Sequence, residues 1–177
     1  MICVIPARYN SVRLPGKMMR PFCGHPLLRW TIDQARAHFI LRDIHVVTDS
    51  PEVDAYARDF GLVPRREPEL LLTSALNAVR LIGRTQPERM LLLQPTFPLR
   101  TLDYMERFIR FAESNNFNLR TVRGGYPTGN MYAVHSLDLA AGWVDLWDAD
   151  EGVDINTQED FANAESLMAA RLAKAAV

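Results

Sequence analysis

The chain has 177 residues, 48% of them hydrophobic and 23% charged, which suits one globular domain with a full core and excludes a disordered polymer. No apolar run reaches the ~18 residues of a membrane helix. The apolar start Met1–Ile5 stops at Pro6 with no basic region before it, so no signal peptide is expected. Two cysteines, Cys3 and Cys23, do not make a disulfide framework, and the expected location is the cytoplasm.

The net charge of −1 does not suggest a nucleic-acid surface, but its distribution is polarised. Residues 1–32 carry Arg8, Arg13, Lys17, Arg20 and Arg29 and no acid, whereas residues 145–160 carry seven acids and no base. Such polarity fits an anion site facing a cation site, and fits equally two solvated stretches of opposite sign. Of the 20 basic residues all but Lys17 and Lys174 are arginine. Lys174 lies in a C-terminal Ala/Lys/Arg tail. Lys17 follows a glycine in the basic loop, where a compact ammonium acts differently from a guanidinium fork.

In chain order, residues 1–6 read as a buried strand, followed by a Gly/Pro-punctuated loop from Ala7 to Pro26. Helical spacing runs from Leu27 to about Phe39, and Ile44–Thr48 is a second strand. Ser50-Pro51 is a helix start, with a hydroxyl N-cap and proline in the first turn, and that helix runs to Phe60-Gly61. Leu62–Arg65 reads as a third strand, residues 74–85 as a helix and Met90–Leu93 as a fourth strand. A helix from Thr101 to Asn115 follows. Leu119–Val122 and Asn130–Val134 are strands around a turn at Gly124-Gly125-Tyr126-Pro127. The last helix opens at Thr157, with Asp160 as its capping-box acid, and ends near Ala173. Strands alternating with helices predict an α/β fold, a three-layer α/β/α domain with a mostly parallel sheet. In such a sheet ligands bind beyond the carboxyl ends of the strands, near a switch in strand order. The chemistry is therefore expected in Ala7–Pro21, Asp49-Ser50, Gln94–Arg100 and the stretch around Asp154.

The loop Pro6-Ala7-Arg8-Tyr9-Asn10-Ser11-Val12-Arg13-Leu14-Pro15-Gly16-Lys17 is neither a Walker A loop nor GxGxxG. It still offers three cations, a hydroxyl and a glycine that lets backbone N–H groups approach a phosphate. The alternative is a basic surface loop. Near the other end of the chain, Asp154 and Asn156 stand two apart in a segment read as extended. Residues i and i+2 there point the same way, so the two can share one cation while Ile155 packs inward. Mg²⁺ takes one or two carboxylates together with phosphate oxygens and water. The alternative is that Asn156 or Thr157 merely caps the last helix.

The first of these segments, IPARYNSVRLPGK, is similar to the signature of the CMP-sugar synthetases, cytidylyltransferases that activate 3-deoxy-2-keto acid sugars such as sialic acids and 3-deoxy-manno-octulosonate. Leu91–Thr101 (LLLQPTFPLRT) resembles the LLQPTSPLRT of the acylneuraminate branch, with Phe97 where Ser is usual. Thr128–Tyr132 (TGNMY) is similar to its NGAIY strand, and Asp154–Phe161 (DINTQEDF) to its DIDTxEDF ending. These segments cover somewhat less than half of the chain, in the family's order.

The resemblance implies a Rossmann-like nucleotidyltransferase fold and transfer of CMP from CTP to an acidic sugar, with pyrophosphate released. Arg8 and Lys17 would bind the triphosphate and act in catalysis. Ala7, Asn10 and Ser11 would hold the phosphates and nucleotide together with Arg13 and Gly16. Arg66 would help hold the nucleotide, with the alignment free to slip by one. Gln94 would face the sugar, and Asp154 and Asn156 would hold Mg²⁺. The expected partners are CTP and an acidic sugar, with a homodimer compatible and neither nucleic acid nor membrane.

Three features depart from the family pattern. Met18 stands where the sialate branch has Asn, and Asn156 replaces the second Asp. Only Arg123 to Gly129 remain where the family carries several tens of residues, so the chain reads as a single nucleotidyltransferase-like domain, 1–177, lacking most of the sugar-side and dimerisation insertion. These departures leave two other readings: a degenerate relative that binds nucleotide with little turnover, or a nucleotidyltransferase for another small acceptor.

Other constellations are bland. The four histidines have no metal-ligand spacing, and no GxSxG elbow is present. Trp143 and Trp147 read as core or interface aromatics. Phe161, Ala164, Met168 and Leu172 read as the buried stripe of the last helix.

Overall fold

A computed structural model describes residues 1–62, 64–67, 77–78, 82, 89–135, 142–148 and 152–175. Its strands and helices are β1 (Ile2–Pro6), β2 (Pro21–Phe22), β3 (His25–Pro26), α1 (Leu27–Arg36), β4 (Ile44–Thr48), α2 (Pro51–Asp59), β5 (Arg65–Arg66), β6 (Met90–Leu93), α3 (Leu102–Glu113), β7 (Leu119–Arg123), β8 (Tyr126–Val134), β9 (Val144–Trp147) and α4 (Gln158–Ala175). Seven strands form one sheet in the order β5-β4-β1-β6-β8-β7-β9. The pairs β4–β5, β1–β4, β1–β6 and β7–β9 are parallel, and only β8 runs against its neighbours β6 and β7. The mostly parallel α/β sheet is the expected one.

The two faces of the sheet are covered by different elements, as alternation along each strand requires. On one face Cys3, Ile5, Val46, Leu91 and Leu93 pack with Leu28 and Ile32 of α1, Val53 and Ala57 of α2, and Met105 and Phe108 of α3. On the other, Ile2, Val4, Val47 and Leu92 pack with Ala78 and Ile82. Asn77, Ala78 and Ile82 are helical; the rest of the helix expected at 74–85 lies outside the described residues. Leu91, Leu92 and Leu93 are all fully buried, each side chain contributing about 1.5–3 kcal/mol, and they hold β6 against β1 at the centre.

Local signals set the helix starts. Ser50 accepts from the Glu52 and Val53 N–H groups, with Pro51 at the first helical position. Thr101 accepts from the Tyr104 N–H at 3.3 Å. The Thr157 hydroxyl accepts from the Asp160 N–H at 3.2 Å, while the Asp160 carboxylate accepts from the N–H groups of Thr157 and Asn156 at 2.8 and 3.0 Å. These bonds hold the Asp160 carboxyl below the usual carboxylate range. Thr157 is therefore the cap of α4, which leaves the Asn156 side chain for another use.

Several elements differ from the sequence reading. The strand expected at Leu62–Arg65 forms instead at Arg65–Arg66, in register with Val47 and Thr48. Leu62 is a core residue outside the strand. The β2–β3 hairpin was not anticipated; Cys23 and Gly24 turn it with φ of 47° and 84°, the positive values that a two-residue hairpin loop requires. Strand β9 adds a seventh strand at the sheet edge. On α4 the buried stripe is Phe161, Ala164 and Met168, which pack on Phe22, Leu27 and Leu99, whereas Leu172 is 41% exposed. Trp143 is partly buried against Tyr132, but Trp147 is 66% exposed. Cys3 and Cys23 are both free thiols, as expected. No helix among the described residues is long and apolar enough to cross a membrane.

Candidate active site

The order β4-β1-β6 makes the switch point: the chain leaves β1 for β4 on one side and returns to pair β6 on the other. A crevice therefore opens at the carboxyl ends of β1 and β6. The structure has a cleft of about 340 Å³ there.

The loop after β1 is anchored before it reaches the cleft. The Ala7 N–H donates to the Val47 carbonyl and the Ala7 carbonyl accepts from the Thr48 hydroxyl, both at 2.8 Å. The Tyr9 N–H donates to Asp49 Oδ1 at 2.7 Å. The Tyr9 carbonyl in turn accepts from the N–H groups of Ser11 and Gly16, each at 2.9 Å. Gly16 has φ +68°, and a Cβ there would touch the Tyr9 ring at 3.4 Å, so the loop closes tightly only with glycine at this position. A 3₁₀ turn over Lys17–Met19 follows and carries Lys17 and Met18 inward.

Lys17 is 6% exposed, and its ammonium donates to the Ile155 carbonyl at 2.7 Å. Burial lowers its pKa from the ordinary lysine value; Asp154 opposes that shift, and Arg13 and Arg8 reinforce it. Arg8, Ser11, Arg13, Lys17, Gln94, Thr96, Asp154 and Asn156 all line the cleft, and Arg13 and Lys17 reach the 154–156 segment directly. The acidic segment is tied in by the Ile155 N–H, which donates to the Thr96 carbonyl at 2.9 Å. Part of the charge polarity of the sequence thus meets at this cleft: Arg8, Arg13 and Lys17 from the basic loop and Asp154 from the acidic segment.

Of the eleven expected residues, seven line this cleft. Arg8, Ser11, Arg13, Lys17, Gln94, Asp154 and Asn156 meet in it. Ala7 and Gly16 do not line it; their N–H groups are committed to Val47 and Tyr9, so they shape the loop rather than offer N–H donors to a phosphate. Asn10 is exposed on the outside of the loop. Arg66 lies on the edge strand β5, separated from β1 by β4, and is not a lining residue; the slip of the strand moved it away.

Two contributors were missed. Thr96 lines the cleft, and its buried hydroxyl has no partner among the described residues. Its signal was a hydroxyl directly after Gln94-Pro95 at the end of a buried strand. Arg100, 3% exposed, is the second. It donates to the carbonyl of Gln94 at 3.0 Å, to the side-chain and backbone oxygens of Asn130 at 2.8 and 2.9 Å, and to Gln34 at 2.7 Å. It fixes the backbone that presents Gln94.

Asn156 is held from both sides. Its Oδ1 accepts from Arg13 at 2.7 Å and its Nδ2 donates to Asp154 Oδ2 at 2.6 Å. No cluster of three His, Cys, Asp or Glu residues poised for a metal exists among the described residues. One carboxylate, an amide and room for phosphate oxygens nonetheless fit Mg²⁺, which keeps several waters and needs few protein ligands.

The 3-deoxy-manno-octulosonate cytidylyltransferase of Acidobacterium capsulatum is 46% identical over 66 residues, covering 37% of this chain and 27% of the relative. The 8-amino-3,8-dideoxy-manno-octulosonate cytidylyltransferase of a Shewanella species is 29% identical over 133 residues, covering 73% of this chain and 54% of the relative. The chain thus matches between about a quarter and about half of the length of these relatives. Its fold is similar to that of a CMP:2-keto-3-deoxy-manno-octonic acid synthetase complexed with CTP, with a TM-score of 0.75 at 15% identity over 96% of this chain and 98% of that one. The family model for cytidylyltransferases matches residues 2–123, from β1 through β7 and including the loop that carries Arg8 and Lys17. The chain belongs to the cytidylyltransferase family.

Proposed function

We propose that the cleft binds CTP and transfers its CMP group to an acidic 3-deoxy-2-keto sugar in the cytoplasm, releasing pyrophosphate. The observation that carries this reading is the convergence of Arg8, Arg13 and Lys17 on Asp154 and Gln94 at the switch point, in a chain of this family. The three cations suit a triphosphate. The buried Lys17 ammonium is poorly solvated, so its attraction for phosphate is little screened. Gln94, on the floor beside β8, suits the polar face of a sugar.

The reaction is an in-line displacement. The anomeric hydroxyl oxygen of the acceptor bonds to the α-phosphorus as the bond to the bridging oxygen breaks; pyrophosphate departs with that electron pair, and the hydroxyl proton is released to solvent. Arg8 and Lys17 bind the triphosphate and neutralise charge growing on the leaving group, and positioning does the rest. No covalent enzyme nucleophile is needed. Asp154, with Asn156 beside it, would hold Mg²⁺, which supplies further charge neutralisation when bound. The β7–β8 connection is a two-residue turn at Gly124-Gly125.

Pyrophosphate release from CTP and Mg²⁺ with 3-deoxy-2-keto acid sugars tests the proposal. Lys17→Ala or Arg8→Ala should lower the rate by about 100-fold or more; unchanged rates in both variants would contradict the site. A second reading, nucleotide binding with little turnover, is favoured by one observation: the Asn156 amide donates to Asp154 where a second carboxylate would strengthen a metal site. Asn156→Asp should then raise the rate.

A further inference from the structure

We infer that Arg13 and Asn156 form a lock which keeps a divalent cation out of the Asp154 site until a triphosphate removes Arg13. This inference rests on the proposal that Asp154 holds the metal. A guanidinium can only donate and an ionised carboxylate can only accept. Asn156 stands between one of each, with Oδ1 on Arg13 and Nδ2 on Asp154. The orientation of its amide is therefore set by its neighbours. Turning it over would set N–H against N–H at Arg13 and oxygen against oxygen at Asp154, losing both bonds. In the orientation held, a cation entering between Asp154 and Asn156 meets an NH₂ group and loses an oxygen ligand it would otherwise have.

Backbone contacts keep Asn156 in this position. Its N–H donates to Asp160, and the preceding Ile155 is pinned on both sides, by Lys17 at its carbonyl and by Thr96 at its N–H. The side chain can turn over while the backbone stays. What must leave is Arg13, which is exposed on the cleft wall and shares that wall with Arg8 and Lys17. A triphosphate gives the guanidinium a doubly charged, bidentate partner in place of a single amide oxygen. With Arg13 gone, the amide rotates and offers Oδ1 alongside the Asp154 carboxylate. Nucleotide and metal then favour each other through a protein side chain, beyond the phosphate oxygens they share, and the coupling is reciprocal.

The test reads Mn²⁺ alone, without nucleotide, by electron paramagnetic resonance. The wild-type protein is compared with Arg13→Ala, with Arg8→Ala as the control for losing one positive charge in the same cleft, and with Arg13→Ala/Asp154→Ala. Arg13→Ala should bind Mn²⁺ about tenfold more tightly than Arg8→Ala does, the value of one charge-assisted hydrogen bond, and the added Asp154→Ala should abolish the gain. Equal affinities in Arg13→Ala and Arg8→Ala would overturn the lock while leaving the metal site standing. Binding that survives Asp154→Ala would place the cation elsewhere and overturn both.

Discussion

Lys17 is the residue on which the proposed chemistry turns, and its burial has a measurable consequence. Its folded pKa lies below the unfolded lysine value because the ammonium is desolvated. Between those two values the unfolded chain binds more protons, so stability rises with pH across that window. The destabilisation is complete below the lowered pKa and vanishes above the unfolded one. A bound triphosphate brings negative charge to the ammonium and raises its pKa again. CTP binding should therefore take up protons at alkaline pH, seen as a calorimetric enthalpy that depends on the ionisation enthalpy of the buffer. Lys17→Arg, which stays charged, should show no such uptake; the same uptake in that variant would assign it elsewhere. Gly129 makes a second prediction at this scale. Its φ is +81°, and a Cβ there would sit 2.6 Å from Gln94 Nε2. Gly129→Ala should cost about 1–2 kcal/mol in backbone strain and push the Gln94 amide aside. The acceptor KM should rise several-fold with CTP affinity unchanged, and a loss of CTP affinity instead would show that Gln94 does not serve the acceptor.

Among the elements, β6 and the segment after it carry the burden of placing the floor of the cleft. Arg100 ties that segment to α1 through Gln34 and to β8 through Asn130, whose amide in turn donates to Asp148 at 3.2 Å. Arg100→Met leaves several buried oxygens without their donor and should cost about 3 kcal/mol, read as a lower midpoint in urea unfolding; a change under 1 kcal/mol would mean water replaces the guanidinium. The two loops that meet at the cleft were legible in the sequence because loop chemistry is local: glycine, proline, hydroxyls and cations at fixed spacing. The sequence also placed Ile44–Thr48 and the caps at Ser50 and Thr157, where side chain and backbone interact within a few residues. The Arg100 network was not legible, because its side-chain partners Asn130 and Gln34 lie 30 and 66 residues from Arg100 in sequence. Neither was the β2–β3 hairpin, since strands of two residues have no period and Cys23 is an unusual residue for positive φ. Arg66 sits in β5 because strand boundaries follow pairing with Val47 and Thr48 rather than the apolar Leu62.

For the molecule as a whole, a basic N-terminal loop and an acidic C-terminal segment are brought to one cleft by the switch in strand order. Docking of α4 on Phe22, Leu27 and Leu99 holds the acidic wall in place. The central claim is that this cleft is a CTP site assisted by a divalent cation. Calorimetric titration with CTP, UTP, GTP and ATP, each with and without Mg²⁺, tests it most directly. CTP should bind selectively and more tightly with Mg²⁺; equal binding of the four nucleotides, or none, would contradict a CTP site.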